Sequence, residues 1–462
     1  MKEECKKLIQ NIIYLIMGLQ ILMGFLWMAA NLGKVPRFQE CMEFLHMSET
    51  LCVDEYTGIL YPLGIRLLYA VAGLLRLPGC SFVYLLQVVA AYLAYIYFLR
   101  KVFFPGEELS VLLRNRLRFG VLFILTVPPI AQCHMALLPY SLATSVMVVL
   151  LADTIELWRG AELEKKLVLR MGAGWILSAF LCPDYAWLCG VAVVLSTIRY
   201  MILRKKKAVK LLVMCLCCSL FIGCVSPVVQ TEGSMGKIQK SVGAMLLQRF
   251  VWPNFSTFHL FWYDEIKALW DSKEIVTIAQ HPEMVIYEFG PMVEATYGKE
   301  RADDFYWHMS KKALSLDTRN IVGNIMEDTV AYLCPPLTMF LQLHGMDVGE
   351  AYTGWNYGRM KDYAPVLTGN YVNYSLSAWC ILLVLCALLG ILSEREKKAT
   401  DKSNKKQWIG LYLGTVSIAV NLWYVMTSGN MQDYKKVMLN SILWAFLYAW
   451  MACKSSETFS KT

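Results

Sequence analysis

Two adjacent carboxylates, Asp54 and Glu55, lie in the segment 49–62 (ETLCVDEYTGILYP), a short way beyond the first long apolar run of the chain. A carboxylate at a low-dielectric surface can act as a general base that takes a proton from an incoming hydroxyl group. Acidic residues beside a membrane are costly to desolvate, and a neutral linker would avoid that cost. The pair is therefore our leading hypothesis for a catalytic site. The alternative is a solvated loop, which is what most exposed Asp-Glu pairs are.

Cationic residues on the same predicted side of the membrane are candidates for a second role. If a sugar leaves a lipid phosphate, cations or backbone amides must stabilise the negative charge that develops on the leaving group. Arg66, Arg249 and Lys435 or its neighbour Lys436 are candidates for this role, and Asp184 is a further acidic candidate on that side. The alternative for each cation, and the commoner role of such residues, is a lipid-headgroup contact or an exposed ion pair.

The six histidines fall on the same side, but their spacing does not favour a metal site. No pair has the His-x-x-x-His spacing that puts two imidazoles on one helix face. No glycine-rich phosphate loop and no serine nucleophile elbow is present either. We therefore predict no cofactor, while a divalent metal stays open. The histidines are His46, His134, His259, His281, His308 and His344.

The composition indicates a membrane protein. Hydrophobic residues make up 57% of the 462 residues and charged residues 17%, whereas soluble domains are about a quarter charged. The net charge of +8 would suggest nucleic-acid binding in a soluble protein. Here the lysines and arginines flank apolar runs, so membrane orientation explains them better and no nucleic-acid partner is expected.

The apolar runs predict about ten membrane spans of the length that a bilayer requires. Basic residues alternate between the connecting loops in a way that puts both termini of this multi-pass cell-membrane protein in the cytoplasm. Segment 58–77 is also apolar, but it contains Pro62, Arg66 and Arg76, and a span there would put the basic loop 100–118 outside. We predict that it is an interfacial or docked helix. The predicted spans are 8–31, 81–99, 119–137, 140–158, 170–182, 186–203, 208–229, 374–392, 408–426 and 436–453.

Three regions follow from this pattern, and together they predict an all-α fold. Residues 1–229 form an N-terminal membrane module with seven spans, the first outer loop and the interfacial helix. Residues 230–372 form a helical extracytoplasmic cap, because their apolar residues recur at three- and four-residue spacing. Residues 373–462 hold three further spans and a cytoplasmic tail. The predicted cap helices are 237–251, 260–270, 283–297, 301–315 and 318–333.

This arrangement resembles the type C superfamily of integral membrane glycosyltransferases. The resemblance is carried by Asp54-Glu55 after the first span, by Tyr61-Pro62 at the start of the interfacial helix, and by the stretch 138–142 (LPYSL). It implies transfer of a sugar from a polyprenyl-phosphate carrier to an extracytoplasmic glycan, lipid or protein, with Asp54 or Glu55 as the base that activates the acceptor.

Two other classes of function stay open from sequence. A transporter or flippase of cell-envelope precursors would break its helices inside the membrane, and Pro128-Pro129 or Pro227 could do so. Charged residues at mid-membrane depth are typical of transporters, and the predicted spans hold few. A scaffold that keeps the fold without catalysis is the third possibility.

Overall fold

The computed structural model describes residues 2–35, 39–51, 58–104, 111–158, 163–203, 209–229 and 293–316, together with the isolated positions 318, 319, 321–323, 381, 438 and 442. Within these residues all regular secondary structure is helical and no strand occurs, which confirms the all-α prediction there. The chain divides into two compact units. Helices α1 to α10 belong to the first unit and helix α11 to the second.

The helices match the apolar runs closely, and four of them contain stretches long and apolar enough to cross a membrane. Those stretches are Lys7–Asn31, Gly79–Val102, Tyr140–Trp158 and Tyr185–Ile202. Of the predicted spans after residue 373, the structure describes only positions 381, 438 and 442. The helices are α1 Lys2–Asn31, α2 Gln39–Thr50, α3 Leu60–Leu74, α4 Gly79–Phe103, α5 Val111–Leu125, α6 Pro128–His134, α7 Tyr140–Trp158, α8 Lys165–Leu181, α9 Pro183–Leu203, α10 Val209–Val229 and α11 Lys299–Leu316.

Helix α4 begins beside the place where α1 ends. The Ser81 hydroxyl donates to the carbonyl oxygen of Leu32 at 3.0 Å, and the Tyr84 hydroxyl donates to that of Lys34 at 3.0 Å. These bonds satisfy carbonyls of the turn that follows α1. The chain between α1 and α4, which includes α2 and α3, therefore starts and finishes at the same end of the bundle. We call this end of the bundle the Leu32 end.

Helix α3 docks against the bundle at this end. It has 15 residues, which is about 22 Å of helix and less than the roughly 30 Å of a bilayer core. Its residues Tyr61, Ile65 and Ala72 are buried, and its neighbours in the unit are α2, α4 and α8. Leu67 and Arg66 are exposed. A docked helix was one of the two arrangements predicted for segment 58–77.

The predicted span 119–137 contains two helices and not one, with the break at the proline pair that the sequence marked as a possible helix breaker. Helix α5 ends at Leu125, and α6 begins at Pro128 after Val127, which is in an extended conformation. Proline lacks the backbone N–H that a continuing helix needs, and it disfavours helical geometry in the residue before it. The Pro128-Pro129 pair therefore ends one helix and starts the next.

Helix α1 covers the break between α5 and α6. The Gln20 side-chain amide donates to the carbonyl oxygen of Thr126 at 3.0 Å, in the two-residue link that joins the two helices. One helical turn further along α1, Gly24 lies against the same threonine. A Cβ atom at Gly24 would come within 2.5 Å of the Thr126 Cβ, so only glycine allows α1 to pack this closely.

Charged side chains join the helices at the opposite end, which we call the Arg170 end. The Arg170 guanidinium donates to both Asp153 carboxylate oxygens at 2.5 and 2.6 Å, and the Tyr97 hydroxyl donates to Oδ1 at 2.7 Å. Lys101 pairs with Glu156 at 2.8 Å. Asp153 is fully buried, so its charge depends on these partners. The network links α4, α7 and α8.

The second unit contains helix α11. Residues 293–297 are helical and stop at Gly298, whose φ of +84° is the left-handed conformation that favours glycine. The Tyr297 and Phe305 rings stack at 4.8 Å across this turn. Burial, with Glu294 and Asp303 adding to it, raises the pKa of Tyr306 to about 12. Helical structure is thus confirmed for 301–315, while the other predicted cap helices lie wholly or mostly outside the described residues.

Substitution of Gly24 by alanine tests the packing of α1 on the break. We expect Gly24→Ala to destabilise the protein by about 1–3 kcal/mol, because Thr126 must move to make room. The matched control is Gly18→Ala on the same helix, where the nearest heavy atom to the new Cβ is Phe119 Cζ at 3.7 Å. That control should be neutral, or stabilising by up to about 1 kcal/mol, because alanine favours helix. Thermal unfolding in detergent measures both, and equal effects would contradict the predicted contact.

Candidate functional site

A buried polar cluster centred on Gln87 lies inside the first unit. The Tyr61 hydroxyl donates to Gln87 Oε1 at 2.8 Å. The Gln87 Nε2 group in turn donates to the carbonyl oxygens of His134 at 2.8 Å and Ala136 at 3.0 Å. Gln87 is fully buried, and these contacts use both hydrogens of its amide. One side chain of α4 therefore fixes α3 against the end of α6.

The cluster continues through His134 into α7. His134 Nδ1 and Ser141 Oγ are 2.7 Å apart, and either atom can be the donor, depending on the histidine tautomer. The Ser145 hydroxyl donates to the Ser141 carbonyl oxygen at 2.8 Å. Nearby, the Thr144 hydroxyl donates to the Tyr185 hydroxyl oxygen at 3.4 Å, which adds α9. We call the set Tyr61, Gln87, His134 and Ser141 the Gln87 cluster.

The Gln87 cluster lies within the bundle and not on its surface. Gln87 is about 12 Å along α4 from Gly79, at eight residues and 1.5 Å per residue, in a helix of 25 residues. The cluster is thus about a third of the way in from the Leu32 end. The Phe44 ring packs edge-on against Tyr61, with the ring centroids 5.5 Å apart. Polar contacts in such apolar surroundings are stronger, and polar atoms without partners are more costly.

Burial favours the neutral form of the Tyr61 hydroxyl. Desolvation raises the pKa of the Tyr61 hydroxyl well above its usual range, because the charged phenolate would lose its hydration. A tyrosine hydroxyl keeps its proton at neutral pH in any case, and burial extends the pH range over which Tyr61 stays a hydrogen-bond donor to Gln87. The contact shown for Tyr61 is the one that holds α3 to the Gln87 cluster.

Helix α6 carries polar side-chain atoms that have no partner. His134 Nε2 and both polar atoms of the Gln132 side chain are buried and make no hydrogen bond. Both residues are fully buried. Each such atom typically costs about 1–3 kcal/mol, because it loses water and gains nothing in return. Native proteins bury few of them, so a group of three on one short helix calls for an explanation.

The structure describes few of the predicted site residues. Asp54, Glu55, Arg249 and Lys435 lie outside the described residues. Asp184 belongs to the first turn of α9, at the Leu32 end, and its side chain is not described. Arg66 is exposed on α3. The proposed grouping of these residues is therefore still a prediction.

Both residues that flank the segment 52–57 are described. Leu51 follows α2, and Gly58 precedes α3. Gly58 is buried against the end of α8, where a Cβ atom would overlap the carbonyl oxygen of Phe180 and lie 2.8 Å from the carbonyl carbon of Leu181. Gly58, three residues after Glu55, thus packs beside Leu181, three residues before Asp184.

The sequence pattern identified Tyr61 and the 138–142 stretch but missed the residues that join them. Gln87 and Gln132 sit in apolar runs, and an amide in such a run is the signal that could have found them. His134 was counted only with the dispersed histidines. Among the described residues no group of three His, Cys, Asp or Glu side chains could hold a metal ion.

The described part of the chain is thus an all-helical protein with four helices of membrane-crossing length and a polar cluster in its interior. The chain matches no known family model, no curated protein and no solved structure. The functional assignment therefore depends on the residues and contacts of this chain.

Two tyrosines of α3 offer a matched test of the Gln87 cluster. Tyr61→Phe removes the donor to Gln87 Oε1 and should destabilise the protein by about 1–3 kcal/mol, because it leaves a buried acceptor unpaired. Tyr69→Phe makes the same chemical change at a buried hydroxyl that has no partner, so it should be neutral or stabilising. Thermal unfolding in detergent compares them. A Tyr69 variant that loses as much stability as the Tyr61 variant would contradict the role of the Gln87 contact.

Proposed function

We propose that this protein is a membrane glycosyltransferase that moves a sugar from a polyprenyl-phosphate carrier to an extracytoplasmic acceptor. The observation that supports this most is the Gln87 cluster. It links Tyr61 to Ser141, and these two residues belong to separate stretches on which the likeness to type C glycosyltransferases rests. Those stretches are about 80 residues apart in sequence. The two stretches therefore contribute side chains to one polar cluster, as expected if both serve the same site.

In this proposal Asp54 is the general base, with Glu55 beside it as the alternative. The acceptor oxygen attacks the anomeric carbon in line, and its proton passes to the Asp54 carboxylate. The bond from that carbon to the phosphate oxygen breaks, and its electron pair leaves on the polyprenyl phosphate. Inversion at the anomeric carbon follows from this single displacement. Arg249, Lys435 or Arg66 would offset the charge on the phosphate, and Asp184 would bind substrate.

The packing of Gly58 supports a fixed position for one end of the acidic segment. Catalytic groups must be held close to the productive geometry by rigid neighbours. Gly58 contacts backbone atoms at the end of α8, and it is followed at once by α3, which is docked on α4. A fixed position for Gly58 would help to hold the neighbouring Asp54, the proposed base, in the geometry that proton transfer needs.

The apolar helices support membrane association, and the flanking basic residues support the orientation with cytoplasmic termini. The chemistry of the displacement needs no cofactor, although a divalent metal could assist the phosphate. The partners are then the lipid-linked donor, an acceptor glycan, lipid or protein, and the surrounding lipids.

A transporter or flippase of envelope precursors is the second candidate. The break between α5 and α6 and the unpaired polar atoms on α6 favour it, because transporters use broken helices around interior polar sites. The two functions differ in their products. A transporter moves a labelled precursor across vesicles without a new glycosidic bond, whereas a transferase releases the carrier phosphate.

Substitution of Asp54 tests the proposed base. We expect Asp54→Asn to reduce transfer by about 10²–10⁴-fold, because the amide cannot accept the acceptor's proton. Expression and membrane insertion should be unchanged. The measurement is carrier release by purified protein incubated with candidate polyprenyl-phosphate sugars and acceptors. Activity of Asp54→Asn at the wild-type level would reject Asp54 as the base, and loss of activity in Glu55→Gln would then assign the role to its neighbour.

The anchor at Gly58 can be tested against a second glycine. Gly58→Ala should lower the transfer rate, because the new methyl group displaces the end of the acidic segment from α8. Gly64→Ala is the matched control, since a Cβ there meets no atom within 4 Å. It should keep wild-type transfer and stability. Equal activities in the two variants would show that the anchor does not matter for catalysis.

A further inference from the structure

We propose that the seam between α8 and α10, at the Arg170 end of the first unit, binds an acidic phospholipid. The lipid phosphate lies between the ammonium groups of Lys165 and Lys210, and an acyl chain lies against Leu169 and Val213. This inference does not depend on the proposed transferase function, because it concerns the surface of the bundle. It is supported by two exposed cations and two exposed apolar side chains that fall on one side of a helix pair.

Helices α8 and α10 lie side by side and run in the same direction. The Cys218 thiol donates to the Gly172 carbonyl oxygen at 3.8 Å, and a Cβ atom at Gly172 would be 3.2 Å from Met214 Cγ. Further along both helices the Phe180 and Phe221 rings pack edge to face, with their centroids 6.1 Å apart. Later residues of one helix thus meet later residues of the other. The two helices are therefore parallel, and both begin at the Arg170 end.

The same contacts place Lys165 and Lys210 at about the same height along the seam. Lys165 lies two helical turns before Gly172, which is about 10 Å towards the Arg170 end. Lys210 lies about 9 Å in that direction from the midpoint of Met214 and Cys218, the two residues that contact Gly172. Residues separated by one or two whole turns share a helix face. Both lysines therefore lie on the sides of their helices that face the seam.

Helix α9 covers one side of this seam. The Trp175 indole of α8 donates to the Ala186 carbonyl oxygen of α9 at 3.1 Å. Thr197 Oγ1 of α9 lies 3.5 Å from Cys215 Sγ of α10. Successive residues of a helix are rotated by about 100°, so Trp175 and Cys215 point to the same side of the seam, and α9 occupies that side. The opposite side is left to the surroundings of the bundle.

The side of the seam away from α9 combines cations with apolar surface. Leu169 follows Lys165 by one helical turn and is 76% exposed, and Val213 follows Lys210 by about one turn and is 54% exposed. Both lysines are exposed as well. Side chains of a helix lean towards its N-terminus, so the ammonium groups lie above the apolar pair, nearer the Arg170 end. The surface is thus cationic at the top and apolar below.

The described acidic residues at this end leave the two lysines without an anionic partner. The carboxylates of Asp153 and Glu156 are paired with basic side chains of α8 and α4. Glu164 is exposed and forms no ion pair with a described residue. Two ammonium groups on facing sides of adjacent helices repel each other, and an anion between them replaces that repulsion with attraction.

This combination of charge and apolar surface selects an acidic phospholipid. Its phosphate supplies one negative charge to the lysine pair, and its acyl chain covers the leucine and valine below. A soluble anion would leave the apolar pair uncovered. Phosphatidylcholine carries its own cation, which offsets the attraction of its phosphate to the lysines. Each lysine near an acidic membrane surface strengthens binding by roughly fivefold, so two should give a preference of tenfold or more.

The experiment is a titration of the full chain in detergent with three probes, measured by native mass spectrometry and thermal unfolding. The probes are dioleoyl phosphatidylglycerol, dioleoyl phosphatidylcholine, and glycerol 3-phosphate, which has the anionic headgroup chemistry without chains. The test variant combines Lys165→Gln with Lys210→Gln. Its matched control combines Arg100→Gln with Arg118→Gln, which removes two exposed cations of α4 and α5 away from the seam. A further variant, Leu169→Ser, tests the acyl-chain contact.

We expect the wild type to bind phosphatidylglycerol about tenfold or more tightly than phosphatidylcholine. The lysine variant should reduce this preference to about threefold or less, and the arginine control should keep it. Leu169→Ser should weaken binding of both lipids without changing their ratio. The ligand-free Tm of the lysine variant should equal or exceed that of the wild type, because the repulsion is removed, and this shows that the variant folds.

Any of five results would overturn the proposal. These are equal affinity for the two lipids in the wild type, an undiminished preference in the lysine variant, an equal loss of preference in the arginine control, unchanged lipid affinity in Leu169→Ser, or a Tm rise from glycerol 3-phosphate as large as that from phosphatidylglycerol. The last result would assign the lysines to a soluble anion. None of the measurements involves glycosyl transfer, so failure of the transferase proposal would leave them unaffected.

Discussion

The constraint on which this structure depends is the need to pair hydrogen-bonding groups inside an apolar bundle. Pro128-Pro129 interrupts the helix that would otherwise run from Val111 to His134, and backbone carbonyls near the break and after α6 lose their helical partners. Two glutamine side chains satisfy them. Gln20 of α1 binds the carbonyl oxygen of Thr126, and Gln87 of α4 binds those of His134 and Ala136. The break thus persists because amides from neighbouring helices replace the bonds that it removes.

The two ends of the first unit use different chemistry for the same task of joining helices. At the Arg170 end a buried carboxylate, Asp153, is held by a bidentate arginine and a tyrosine. Towards the Leu32 end the Gln87 cluster uses uncharged side chains. The buried Asp153 carboxylate has its charge balanced by Arg170, whereas the Gln87 cluster holds its helices with hydrogen bonds between neutral groups.

The proposed transferase divides its work according to this chemistry. In the proposal Asp54 takes the proton, and the basic residues offset the charge on the phosphate. The segment with Asp54 and Glu55 leads directly into Gly58 and the docked helix α3, whose Tyr61 enters the Gln87 cluster. Chain connectivity therefore links the proposed base to the Gln87 cluster through a few residues.

The lengths of the apolar runs determined most of the helices, because a run of about twenty apolar residues has few structural alternatives. Helix α7 has the predicted bounds 140–158, and α10 begins within one residue of its prediction. Basic flanks and a proline were enough to predict that segment 58–77 is a docked or interfacial helix. Pro128-Pro129 marked in the sequence where a helix could break, but the contact that covers the break was decided only by tertiary structure, since the Gln20 amide lies 106 residues from Thr126. Pairing of Tyr61, Gln87 and His134 likewise depends on how three helices pack, and no local pattern encodes a contact between residues so far apart in the chain.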